Sequence, residues 1–171
     1  AAIEPTSPVV DDIMRFNLVS PSAQTKVSAG AFETADQIGL YVTDYVNETT
    51  PMPLQISGNW INNEALTYNG SSWSGRRTFY WADGLIDVYG YYPYMEPTSI
   101  AKHKWAVQTD QSIPATEDAL SAYEASDFLW AKVEGVIPTD KRVSMRFQHK
   151  MSSVRVRLVQ GDGWTDEAEF A

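Results

Sequence analysis

The chain contains no cysteine, which excludes a disulfide framework, thiol chemistry and thiolate metal sites. Long hydrophobic runs are missing as well. Nothing approaches the ~18 apolar residues of a membrane helix, and no basic segment leading into an apolar one opens the chain. Histidine is scarce, with only His103 and His149 in separate segments. Positive charge is in short supply: 13 Lys and Arg stand against 22 Asp and Glu, for a net charge of −9. Phosphate backbones demand a concentrated basic field, so nucleic acid is excluded as a partner. No glycine-rich phosphate or dinucleotide pattern, nucleophile elbow or zinc-binding helix motif occurs. No cofactor, no metal and no catalysis are expected.

What is present is a chain of 171 residues, 43% hydrophobic, long enough to bury roughly 70% of its unfolded surface in one domain. Nine Tyr, six Trp and six Phe make it aromatic-rich, and nine Pro and ten Gly cut it into short pieces. Aromatic and β-branched residues between frequent turn signals predict an all-β sandwich. Residues 1–11 read as a polar, Pro-rich leader, 12–160 as the sandwich domain, and 161–171 as the start of a linker or second domain.

The clearest periodicities define the strands. Over residues 13–19, Met14, Phe16 and Leu18 alternate with Arg15 and Asn17, the signature of a half-buried strand. Ile38, Leu40 and Val42 predict a second. Residues 78–81 and 86–92 read as a hairpin across Ala82-Asp83-Gly84. Residues 105–108 and 128–132 predict two short strands, with the one helical composition between them at 115–125. At the end, Val143, Met145 and Phe147, then Val154, Val156 and Leu158, predict a closing hairpin.

Each candidate for chemistry has a plain structural alternative. His149 has the residue type of a general base, but a base needs a nucleophile and an orienting partner. The favoured reading is a packing histidine at the corner between two strands, and His103, between two lysines, reads as solvated. Asp162, Asp166, Glu167 and Glu169 do not match a calcium loop and read as a solvated acidic tail. The run Tyr89-Gly90-Tyr91-Tyr92-Pro93-Tyr94 suggests either a core strand or, with Trp73 and Trp105, an aromatic platform for glycans. Strand alternation sends only half of such rings outward. Six of the 13 basic residues fall between positions 141 and 157. Arg142, Arg146, Arg155 and Arg157 alternate away from the apolar face, which makes either a solvated sheet face or a docking patch for an acidic partner.

Five segments, in order, resemble blocks of one family. Phe32-Glu33-Thr34-Ala35-Asp36-Gln37-Ile38-Gly39 is similar to its "F-x-x-G-D-x-I-G" segment, and Asp87-Val88-Tyr89-Gly90-Tyr91-Tyr92-Pro93-Tyr94 to its "d-f-y-A-Y-Y-P-Y" segment. Thr109-Asp110-Gln111-Ser112, Ser126-Asp127-Phe128-Leu129-Trp130-Ala131 and Phe147-Gln148-His149-Lys150-Met151-Ser152 resemble three more. The chain thereby resembles the Bacteroidales fimbrillin-like proteins, subunits of surface fimbriae, over about residues 12–160. Ala35 departs from the usual Gly, a change expected to matter little to the fold.

The resemblance implies a transthyretin-like β-sandwich, the first of two domains. It also implies export as a lipoprotein precursor to the outer membrane, with the lipid anchor only in the precursor. Partners would be other fimbrial subunits, together with host or bacterial surface glycans or proteins. In the family, a trypsin-like protease cuts after the first strand and a neighbouring subunit's strand fills the opened groove. Here the candidate exchange strand carries Met14, Phe16 and Leu18. The candidate processing site is Lys26, the single basic residue of the connector 20–31, where the family commonly has Arg. The alternative is a surface carbohydrate-binding module.

Overall fold

The computed structural model describes residues 11–21, 31–103, 105–117, 119–139 and 141–151. Among these residues eight strands form two sheets. The larger sheet is antiparallel throughout, built from β2 (Gln37–Asp44), β3 (Ile61–Tyr68), β4 (Trp73–Ser74), β5 (Ile86–Tyr92), β6 (Leu129–Val136) and β8 (Gln148–His149), in the order β4-β3-β2-β5-β6-β8. The smaller pairs β1 (Phe16–Val19) with β7 (Val143–Arg146), and it is parallel. One core joins them, from Met14, Phe16 and Leu18 through Leu40, Val42 and Val88 to Met145 and Phe147. This is the all-β, two-sheet fold that the composition predicts.

The centre of the large sheet is covered on both faces, so β2 is buried from Ile38 to Thr43 rather than on alternate residues. On the inner face Gly90 lies under the Phe147 ring, whose Cζ would stand 2.8 Å from a Cβ at that position. The outer face carries Tyr41 and Tyr91, capped by His103 at the end of a short 3-10 turn (Ile100–Lys102). The sequence predicts only one buried face because periodicity does not reveal a loop folding back over the other.

Three expectations change in the structure, and the closing strand gains a partner the sequence did not predict. Residues 78–81 do not pair with β5 in a hairpin; Tyr80 instead bridges Ile13. Residues 105–108 are not a strand. The helix shrinks to one turn, α1 (Ala122–Ala125), stabilised by a capping box between Ser121 and Glu124. The closing strand β7 takes β1 as its partner, with Phe16 opposite Val143 and Leu18 opposite Met145. The chain then crosses at Phe147 into the larger sheet, where β8 pairs with β6. The predicted second half of that hairpin, residues 154–158, lies outside the described residues, as do the leader 1–10 and the tail 161–171.

Ala35 also differs from expectation. Its φ is +78°, the left-handed region in which a Cβ costs roughly 1–2 kcal/mol. The turn is held by the Ala35 N–H donating to the Tyr68 carbonyl and by the Glu33 N–H donating to Asp36 Oδ2. Glycine would relieve this position, so the departure is a real backbone cost.

Candidate functional site

Among the described residues, strand β1 has an unusual setting. Alternation places Met14, Phe16 and Leu18 inward, all 9% exposed or less, with Asn17 in solvent. Phe16 meets Phe79 edge to face, centroids 6.0 Å apart. The backbone changes partner along this short run. First the Met14 N–H donates to the Phe79 carbonyl and the Trp81 N–H to the Asp12 carbonyl, both at 2.8 Å. Then the Val143 N–H donates to the Arg15 carbonyl at 2.7 Å, and the Phe147 N–H to the Val19 carbonyl at 2.9 Å. Residues 12–19 are therefore laced between two segments more than sixty and more than one hundred residues away in sequence, with no tight turn to set the register.

The basic patch is seen in half. Arg142 and Arg146 are exposed on β7 and its approach, while Arg155 and Arg157 lie outside the described residues. Arg142 Nη1 donates to the Phe16 carbonyl at 3.3 Å, which ties this cation to β1. The exposed Arg15–Asp11 pair at 2.6 Å contributes little, as surface pairs do. Lys26 lies outside the described residues.

Beside the end of β1, an open pocket of about 570 Å³ is walled by Asp36, Glu124, Asp127 and His149 over Tyr92 and Leu129. Burial raises the pKa of Asp36, which accepts from the Glu33 N–H and the Tyr92 hydroxyl. His149 Nδ1 stands 2.8 Å from Asp127 Oδ1, fastening β8 to the segment before β6. That is the packing role favoured for this histidine. With its carboxylates the pocket favours cations over anions. Among the described residues no group of three His, Asp or Glu is placed to hold a metal ion.

The aromatic platform does not assemble. Tyr91 is 1% exposed, because its ring lies across Gly39 and its hydroxyl donates to Asn63 Oδ1 and to the Met95 carbonyl. Tyr89 packs beside Trp130 with Lys132 over its ring. Trp73, on edge strand β4, is half-buried against Phe32 and Tyr68. Trp105 lies on Phe128 and donates its indole N–H to the Ser126 carbonyl. Aromatic rings gain more from one another than from water, so the outer face of β5 became a second packing layer.

His103 is not solvated either. Its ring meets Tyr91 edge-on at 4.5 Å, its Nε2 is 3.1 Å from the Tyr41 hydroxyl, and burial lowers its pKa. Two other features left no mark in the sequence pattern. Asp87 is fully buried and accepts from the Tyr45 hydroxyl and the Gly135 N–H. The other is the exposure of Trp60 and Tyr80.

Burial pushes the Tyr41 hydroxyl up to about 12, and those of Tyr91 and Tyr92 upward too. Groups whose folded values exceed the ordinary 10.0 stabilise the fold fully below that pH and lose the contribution as pH rises through the folded value. The urea midpoint should hold up to about pH 10 and fall steadily toward pH 12. Tyr41→Phe should flatten that fall, and an equally steep decline in the variant would refute the assignment.

An all-β domain of two facing sheets, closed by an N-terminal strand in parallel register, defines the class. The chain belongs to the fimbrillin-like family, whose model matches residues 25–170. It is 29% identical over 170 aligned positions to a Bacteroides ovatus protein provisionally named fimbrium tip subunit Fim1C, covering 88% of this chain and 29% of that protein. It is also similar to the crystal structure of a provisionally assigned cell adhesion protein from Bacteroides uniformis. There the identity is 23% and the TM-score 0.44, over 84% of this chain and 49% of the other. The chain thus spans under a third of the curated relative and about half of the solved one.

Proposed function

We propose that this chain is a non-catalytic subunit of a cell-surface fimbrium, exported through a lipoprotein precursor to the outer membrane, that joins other subunits by strand exchange at β1. Family membership and the name of the Bacteroides ovatus relative support the fimbrial setting. The observation that carries the exchange reading is the seat of β1: three buried apolar side chains and a backbone ladder supplied by remote segments.

Burying Met14, Phe16 and Leu18 contributes about 5–9 kcal/mol at ~1.5–3 kcal/mol each. A whole domain is stable by about 5–15 kcal/mol. Emptied of this strand, the groove leaves a marginal fold, and any strand with the same alternation regains both ladder and pockets. Trypsin-like cleavage at Lys26 would convert an intramolecular strand into a replaceable one.

The test is limited proteolysis of the purified chain followed by size analysis. Cutting at Lys26 and removal of the first segment should yield laddered oligomers, or capture of a synthetic peptide spanning residues 11–21. The same peptide carrying Phe16→Asp should not be captured. A trimmed chain that stays monomeric with an unchanged melting temperature would defeat the proposal. The carbohydrate reading built on Tyr89, Tyr91, Trp73 and Trp105 has no support in their burial: Tyr91 is buried and the other three are half-buried against neighbouring rings.

A further inference from the structure

Among the described residues, Trp60 and Tyr80 are the aromatic rings most open to solvent. Trp60 is 44% exposed and Tyr80 56%, and neither takes part in an aromatic pair. They are joined differently: the Trp60 indole N–H donates to the Tyr80 carbonyl at 2.7 Å. That bond satisfies the one polar atom of the indole, so the part left in water is apolar ring. It also fixes the ring's orientation, and a preordered side chain loses less entropy when a ligand arrives.

The surroundings are polar. Ile61 is buried, so Trp60 and Asn62 point to the same side of β3. Asn62 Oδ1 accepts from both the backbone N–H and the side-chain amide of Asn59, at 2.9 Å each. The Asn62 amide nitrogen has no bond among the described residues and remains a free donor. A protein partner would need an extended surface of about 1,200–2,000 Å², whereas these two exposed rings are set among amides.

We propose that Trp60 and Tyr80 form a binding site for a neutral glycan. The apolar CH face of a β-linked glucosyl or galactosyl ring stacks on the indole, and a sugar hydroxyl oxygen accepts from the Asn62 amide. Uncharged sugars are selected because the chain carries a net charge of −9 and repels sialylated or sulfated glycans. The site does not depend on strand exchange, since it needs only the intact domain.

The experiment uses the uncleaved chain on an array of neutral oligosaccharides, followed by saturation-transfer NMR with lactose and cellotetraose as solution probes. Transfer from an indole to the sugar CH protons is expected, with the indole N–H resonance assigned to Trp60 by its loss in Trp60→Phe. Trp60→Ala should weaken binding about tenfold or more, and Asn62→Ala severalfold, with circular dichroism unchanged in both. Sialyllactose should bind more weakly than lactose. A blank array would overturn the proposal. So would binding that survives both Trp60→Ala and Tyr80→Ala, or a Trp60→Ala variant that abolishes self-association and leaves sugar binding untouched. If the alanine variant fails to fold, titrating the unaltered chain with lactose decides: a shift of the Trp60 indole N–H resonance supports the site, and an unmoved resonance overturns it. Since no cleavage is involved, failure here leaves the strand-exchange test standing, and the reverse.

Discussion

Replacing Gly39 by alanine is expected to unfold the domain. Gly39 lies in the middle of the large sheet, opposite Tyr91 on β5 and Ala65 on β3. A Cβ there would stand 2.0 Å from Tyr91 Cε1 and 2.2 Å from Cζ, well inside any tolerable contact. The ring has nowhere to move, because Tyr41, His103 and Phe128 surround it and its hydroxyl is bonded to Asn63 and Met95. Overpacking alone costs about 1–3 kcal/mol, and a buried hydroxyl torn from its partners about 1–3 kcal/mol more. Together, at about 2–6 kcal/mol, these reach the lower end of a typical domain's stability, about 5–15 kcal/mol. Urea denaturation should show the midpoint collapsing, or the protein should be recovered only as aggregate. Gly84→Ala, with open space around the added methyl, should change stability by less than about 0.5 kcal/mol. Adding Tyr91→Ala to Gly39→Ala should restore part of the loss, and a Gly39→Ala midpoint equal to that of the unaltered chain would show that the ring is free to swing away.

Phe16→Ala is expected to cost about 3–5 kcal/mol, as large-to-small changes at buried aromatic positions do. Phe16 is 9% exposed, and its ring edge meets Phe79. Asn17→Ala, one residue on and in solvent, should be near neutral. Its one long bond to Ser144 Oγ, at 3.4 Å, contributes little. That contrast distinguishes a strand with an anchored face from a segment that merely lies on the surface. The same side chain bears on assembly. At 1.4 kcal/mol per tenfold, a peptide of residues 11–21 carrying Phe16→Ala should be recaptured by a trimmed chain more than about a hundredfold less tightly. Equal capture of both peptides would mean that backbone pairing alone fills the groove, and that the Phe16 pocket gives no discrimination.

Legibility varied with the range of the interactions. The alternation of Met14, Phe16 and Leu18 identifies a strand and its inner face correctly, as does that of Val143, Met145 and Phe147. Neither run says that the two pair with each other, in parallel, across the whole domain. Residues 78–81 misled because local pairing closes the shortest loop, whereas their neighbour in space is Ile13, not the strand that follows them. The candidate platform failed on burial. Tyr89-Gly90-Tyr91-Tyr92 reads as two faces, and only the fold placed His103 and Phe128 over the outer one.

Composition and periodicity by themselves determined an acidic, cysteine-free all-β domain and the inward faces of β1 and β7, while the family was legible as a resemblance of five ordered blocks. The former depend on residue type and on spacing two apart, and both are local. Tertiary structure decided the parallel seat of β1, the stacking of Tyr91 on Gly39, the burial of Asp87 and the pairing of Trp60 with Tyr80. Each of these depends on which distant segments meet, and a chain settles that by filling its core as a whole, with no signal at any one position to announce it.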